Sequence, residues 1–122
     1  MTTYSFFIST EPYKFEATDS LIEICKSLIK KGHKIRGFFF FGTGVYNLKG
    51  DISCGSSIRD IPKKLEQFTT ENKIPVAGFS TWVSLTGIKE SNFIDGATEE
   101  GLGDFSNWVV ESDKIIVFGT GG

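Results

Sequence analysis

The sequence predicts an α/β protein, a three-layer α/β/α sandwich around a mostly parallel sheet of about four to five strands. Three observations carry that prediction. Short β-rich runs alternate with segments of helical periodicity along the chain. The run Phe38-Phe39-Phe40-Phe41 lacks apolar-polar alternation, as expected of a strand covered on both faces. Glycines or capping residues stand at the ends of most runs, at Gly32, Gly42, Ser80, Gly87 and Gly119.

Tyr4 to Ser9 reads as the first strand, stopped at Thr10-Glu11-Pro12, where proline restricts its predecessor. From about Glu16 to Lys31, the residues Leu21, Ile24, Cys25 and Leu28 recur at helical spacing, with Ser20 and Glu23 as a capping-box pair and Gly32 as a stop. Lys34 to Phe41 is the second strand, ended by Gly42-Thr43-Gly44. A polar loop then runs to Ser57 before Ile58, Ile61, Leu65 and Phe68 mark a second helix, where Pro62 is tolerable only within the first turn. Ile74 to Phe79 is a third strand, and Ser80-Thr81 caps a short helix ending at Gly87. Asp95, Glu99, Glu100 and Asp104 read as an acidic cluster around a helix start, where exposed N–H groups favour carboxylates. Leu102, Phe105, Trp108 and Val109 carry that helix from Gly101 to Ser112, and Lys114 to Phe118 is the last strand.

The 122 residues suit a single domain over 1–122, with 119–122 expected as a flexible tail. Hydrophobic residues make up 39% of the chain, enough for a packed core. The net charge of −2 gives no general attraction to phosphate backbones, so nucleic acid is not an expected partner. The longest aromatic run is far too short to cross a bilayer, so neither is a membrane. Two cysteines do not make a disulfide framework, and Met1-Thr2-Thr3-Tyr4 does not resemble a signal-peptide start; a reducing cytoplasm is the expected compartment.

In parallel sheets ligands collect at the carboxyl ends of strands, here Thr10 to Pro12, Gly42 to Tyr46, Phe79 to Thr81 and Gly119. Gly42-Thr43-Gly44 follows a strand as a phosphate loop would, but Asn47 stands where the next glycine is required, and no Lys-Ser or Lys-Thr pair completes a Walker loop. A tight turn is the plainer reading. With His33 as the one histidine and the two cysteines on different elements, no metal or other cofactor is expected. Cys54, in Ser53-Cys54-Gly55-Ser56-Ser57, precedes the second helix, where a thiolate is favoured, although an inert loop thiol is the plainer reading; Cys25 reads as core.

Gly32-His33, the Phe-rich strand leading into Gly44-Val45-Tyr46-Asn47, Asn92-Phe93-Ile94-Asp95-Gly96, Gly101-Leu102-Gly103 and Ser112-Asp113-Lys114 together resemble the DsrE/DsrF-like sulfur-relay family, in its TusD/DsrE-like branch, over nearly the whole chain. The resemblance implies a small α/β/α subunit that assembles into trimers or hexamers, in some cases with related sulfur-relay subunits, and passes sulfur between cysteines as a persulfide. It also implies a sulfur-carrying cysteine after the third strand, at the start of the next helix. The matching stretch, Gly78-Phe79-Ser80-Thr81-Trp82, has none, and Gly87 to Asn92 looks shorter than in relatives. A hydroxyl is poorly ionised near neutral pH and does not replace a thiolate in sulfur exchange. The expected function is therefore a non-catalytic or accessory relay subunit, with Gly42, Gly44, Tyr46, Phe79, Ser80 and Thr81 as a ligand-binding or vestigial site. Two alternatives stand beside it: sulfur transfer through Cys54 as persulfide carrier, and a small anionic-ligand or nucleotide module built on Gly42, Gly44, Ser80 and Thr81.

Overall fold

The computed structural model describes residues 1–10, 17–50 and 61–119. Strands β1 (Thr3–Ile8), β2 (Lys34–Phe40), β3 (Val76–Phe79), β4 (Ala97–Glu100) and β5 (Lys114–Phe118) form one sheet in the order β4-β3-β2-β1-β5, with every neighbouring pair parallel. Helices α1 (Ala17–Lys30), α2 (Ile61–Asn72), α3 (Ser80–Thr86) and α4 (Leu102–Glu111) lie between them in sequence. The expected α/β sandwich is the architecture observed.

From β1 to β4 the chain steps across the sheet in one direction, and right-handed crossovers then put α1, α2 and α3 on one face. The return from β4 at one edge to β5 at the other places α4 on the opposite face. Two cores of unequal size follow. The larger joins Leu21, Ile22 and Cys25 of α1 and Leu65 and Phe68 of α2 to Phe6, Ile8, Phe38 and Phe40. The smaller sets Phe7, Phe39 and Ala77 under Trp108, with Phe41, Phe79 and Phe105 at its margin. Alternate phenylalanines of the 38–41 run thus enter different cores, which is why the run does not alternate.

Trp108 is the one fully buried residue of α4. Its ring meets Phe39 edge-on at 5.3 Å and carries the Arg36 guanidinium 4.4 Å above it, and Arg36 also pairs with Glu111 at 2.9 Å. A Cβ at position 37 would fall 2.5 Å from the indole, so Gly37 is what lets Trp108 settle against β2.

Three expectations change. Glu99 and Glu100 sit on β4, not at a helix start; Asp104 alone serves α4, its carboxylate accepting the Gly101 N–H at 3.1 Å. The segment Ala97-Thr98-Glu99-Glu100 lacks an apolar pattern because it is an edge strand, and Glu90 accepts the Glu99 N–H at 2.8 Å. Ser80-Thr81 does not cap α3, since Phe79 occupies the capping position without a side-chain bond. Ser20 and Glu23 lie inside α1. The polar loop after β2 begins as a 3-10 helix over Gly42–Leu48. Pro62 falls in the first turn of α2, as required. The expected start at Ile58 and the tail at 120–122 lie outside the described residues. Among the described residues, no helix is long and apolar enough to cross a membrane.

Candidate functional site at the strand ends

Because all five strands run parallel, their carboxyl ends share one edge of the sheet, where Ser9 and Thr10, Gly42 to Leu48, and Phe79 to Thr81 gather. Gly44 sits against β1: a Cβ there would fall on the Ile8 carbonyl oxygen and 2.9 Å from Ser9 Cα, so only glycine fits. Its N–H donates to the Phe41 carbonyl at 3.0 Å, closing the segment as a turn and directing that donor inward. Asn47 is fully buried with every polar atom engaged. Its Oδ1 accepts from Thr18 Oγ1 at 2.6 Å, and its Nδ2 donates to the Thr10 and Gly44 carbonyls, each at 2.9 Å. Gly44-Val45-Tyr46-Asn47 is therefore a clamp joining the end of β1, the 3-10 helix and the first turn of α1.

The sequence-predicted site residues reach this edge but divide between the two faces. Tyr46 packs against the larger core, whereas Phe79 packs against the smaller. Ser80, half-buried, opens α3, and Thr81 beside it is exposed. On the Phe79 side lies a cavity of about 310 Å³ lined by Phe7, Phe41, Phe79, Trp82, Phe105 and Val117. Phe79 and Trp82 bracket Ser80 and Thr81, so the cavity adjoins the position expected to carry sulfur. The sequence reading missed five of its six lining residues as site residues: Phe7, Phe105 and Val117 look like ordinary periodic core, Phe41 like the end of a strand, and Trp82 like part of a short helix. The one signal available was the aromatic pair Phe79 and Trp82 flanking two hydroxyls.

Titratable groups sit at the margin. Burial raises the Glu100 carboxyl above its ordinary range and Asp104 adds to this, while the Arg36 guanidinium, the Trp108 indole and the Thr98 hydroxyl act against it. Ser80 Oγ is 4.0 Å from where a Cβ on Gly101, the next residue, would lie. His33 stands at the opposite, amino-terminal end of the strands, its Nδ1 accepting the Thr2 N–H at 3.2 Å and its ring meeting Tyr4 edge-on. Among the described residues, no group of three or more His, Cys, Asp or Glu is placed to hold a metal ion.

Cys25 is fully buried, and burial pushes its thiol up to about 12, which makes it unreactive near neutral pH. Iodoacetamide is expected to leave Cys25 unmodified in the folded protein and to label it in urea, as read by peptide mass. The raised value also sets a sign: the folded state keeps this proton where an unfolded thiol, near 9.0, releases it. Its contribution to stability is present below about pH 9 and is lost as pH climbs toward about 12. Cys54 lies outside the described residues.

A model of the DsrE/DsrF-like family matches residues 3–118. Among curated relatives, the sulfurtransferase TusD of Salmonella newport is 23% identical, covering 94% of this chain and 98% of its own length. The TusD of Cronobacter sakazakii is 22% identical over the same shares. The crystal structure of the ychN protein from E. coli superposes with a TM-score of 0.80 at 19% identity, covering 97% of this chain and all of that one. MTH1491 from Methanobacterium thermoautotrophicum gives 0.67 at 16% identity, covering 96% and 99%. These two likenesses are of fold.

Proposed function

The chain belongs to the DsrE/DsrF-like family, and from that premise we propose that it is an accessory subunit of a cytoplasmic sulfur-relay or sulfur-oxidation system, docking in threes or sixes beside related subunits that carry the sulfur. One observation carries this reading: Ser80 and Thr81 open α3 where relatives are expected to hold the sulfur-carrying cysteine. The surroundings support it. The cavity beside Ser80 is walled by hydrocarbon, His33 is at the amino-terminal end of the strands, and Cys25 is sealed in the larger core. Among the described residues, no basic side chain is hydrogen-bonded to either hydroxyl to activate it as a nucleophile. Mixing the purified chain with thiol-bearing TusD-type subunits is expected to give a complex heavier than either component by light scattering. A chain that binds none of them overturns the docking role.

The burial of Cys25 favours one second reading, because it leaves Cys54 as the only other thiol of the chain. On that reading Cys54 accepts sulfur as a persulfide. The accessory reading expects no gain of a sulfur atom at Cys54 after incubation with a persulfide donor. An adduct there, with transfer abolished by Cys54→Ser, would replace it.

A further inference from the structure

The two cores are built from different side chains. The larger mixes aromatic rings with Leu, Ile and Val, whereas the smaller is aromatic apart from Ala77. Rings do not fill space as branched aliphatic chains do, because they favour edge-to-face or offset contacts at fixed separations. One fully buried ring, Phe39, meets Phe7, Phe79 and Phe105 edge-to-face at 6.0, 5.8 and 5.4 Å, and Phe7 and Phe105 lie 4.7 Å from each other. These three rings are held from behind. They do not swing inward to fill the cavity of about 310 Å³ that they border without giving up those contacts.

The character of the walls selects an uncharged occupant. Among the described residues, five of the six lining side chains are aromatic and the sixth is Val117, and the indole N–H of Trp82 is their one side-chain polar group. An anion meets no positive charge on this lining. Glu100, in register with Phe79, and Asp104, next to Phe105, stand nearby. Burial and Asp104 already hold the Glu100 carboxyl above its ordinary range, so these surroundings work against added negative charge. A hydrated cation finds no carboxylate on the lining to replace its water. An apolar void of about 150 Å³ takes up a single benzene ring, so about 310 Å³ has room for two fused rings. Trp82 and Val117 are the most exposed of the lining residues, at 40% and 60%, and mark the opening.

We infer that the cavity between Phe7, Phe79, Trp82 and Phe105 binds a neutral planar aromatic molecule of one or two fused rings, carrying at most one hydrogen-bond acceptor for the Trp82 N–H. The bound ring joins an array whose members are already positioned by Phe39, so three of the walls need no ordering when it enters. This site is separate from an anion site built on Gly42, Gly44, Ser80 and Thr81, none of which lines it. It requires neither a sulfur-carrying thiol nor a docked subunit.

Calorimetric titration of the full chain with 2-naphthol tests this, beside quenching of Trp82, which lines the cavity while Trp108 is buried in the core. A dissociation constant on the order of 50 μM is expected, ordinary for a ligand of this size. Decahydro-2-naphthol has the same skeleton without a π system and is expected to bind about fivefold more weakly; naphthalene-2-sulfonate is expected to bind more weakly still. Val117→Trp fills the opening from an exposed position and is expected to abolish the heat of 2-naphthol binding. Phe79→Leu keeps that wall apolar, and is expected to weaken 2-naphthol about fivefold while leaving the saturated analogue unchanged. Circular dichroism checks that both variants are folded. No binding up to millimolar 2-naphthol overturns the inference, as does equal affinity for the saturated analogue or binding that survives Val117→Trp. Preference for naphthalene-2-sulfonate overturns it in favour of an anion site, and preference for tetramethylammonium in favour of a cation site. The accessory reading is tested separately, by the mass of mixtures with TusD-type subunits, and stands or falls apart from these results.

Discussion

Trp108→Ala is expected to cost about 4 kcal/mol of folding stability, within the range for deleting a buried aromatic side chain. The size of the effect comes from how little else holds α4. Trp108 is the helix's one fully buried residue, the ring that Phe39 meets edge-on, and the platform for Arg36. Its removal opens a void over Gly37, where no side chain exists to refill the space. For a domain with only about 5–15 kcal/mol in total, this is a large fraction. Urea unfolding followed by far-UV circular dichroism is expected to show the midpoint falling by about 2 M, taking a slope near 2 kcal/mol per molar. Trp108→Phe keeps an aromatic wall and is expected to lose less than half as much. A shift under about 1 kcal/mol for the alanine variant would mean that α4 is anchored elsewhere.

Asn47→Ala is expected to cost about 3 kcal/mol, because one truncation strands the Thr10 and Gly44 carbonyls and the Thr18 hydroxyl inside the protein. Asn47→Asp is the sharper probe. It keeps the shape but replaces two N–H donors with an oxygen aimed at two carbonyl oxygens. At neutral pH its cost is expected to exceed that of alanine, since the ionised form is both buried and repelled. As pH falls through the carboxyl range the proton restores one donor, and the penalty is expected to shrink. Paired urea titrations of the two variants at pH 7 and pH 4 check this. Equal penalties at both values would mean that Asn47 is not the clamp its distances describe.

Legibility in the sequence followed burial. The Phe38 to Phe41 run announced a strand covered on both faces because each phenylalanine has a core to enter, and β5 and α4 declared themselves by apolar spacing. β4 stayed silent. Its Thr98, Glu99 and Glu100 answer to water and to one neighbour, so pairing with β3 alone makes them a strand. The edge that gathers the candidate site was readable once parallel strands were expected. The division of Tyr46 and Phe79 between faces was not, because side-chain direction at the end of a strand depends on where the turn begins. The cavity was not readable either: its walls come from β1, the end of β2, β3, α3, α4 and β5, and no local pattern distinguishes Phe7 or Val117 from core.

Strand order also sets a timetable for synthesis. β1 is near the middle of the sheet, yet one of its two neighbours is the strand made last, in a register joining Tyr4 to Lys114. While ribosomes add about 5–20 residues per second, β2 can zip onto one side of β1 early, but Phe6 and Phe7 keep an open backbone edge until Lys114 to Phe118 emerge. A nascent chain stalled short of that point would present a phenylalanine-rich, unpaired strand to its neighbours on the polysome. Chaperone demand and cotranslational aggregation should therefore peak late in translation and fall once β5 has docked.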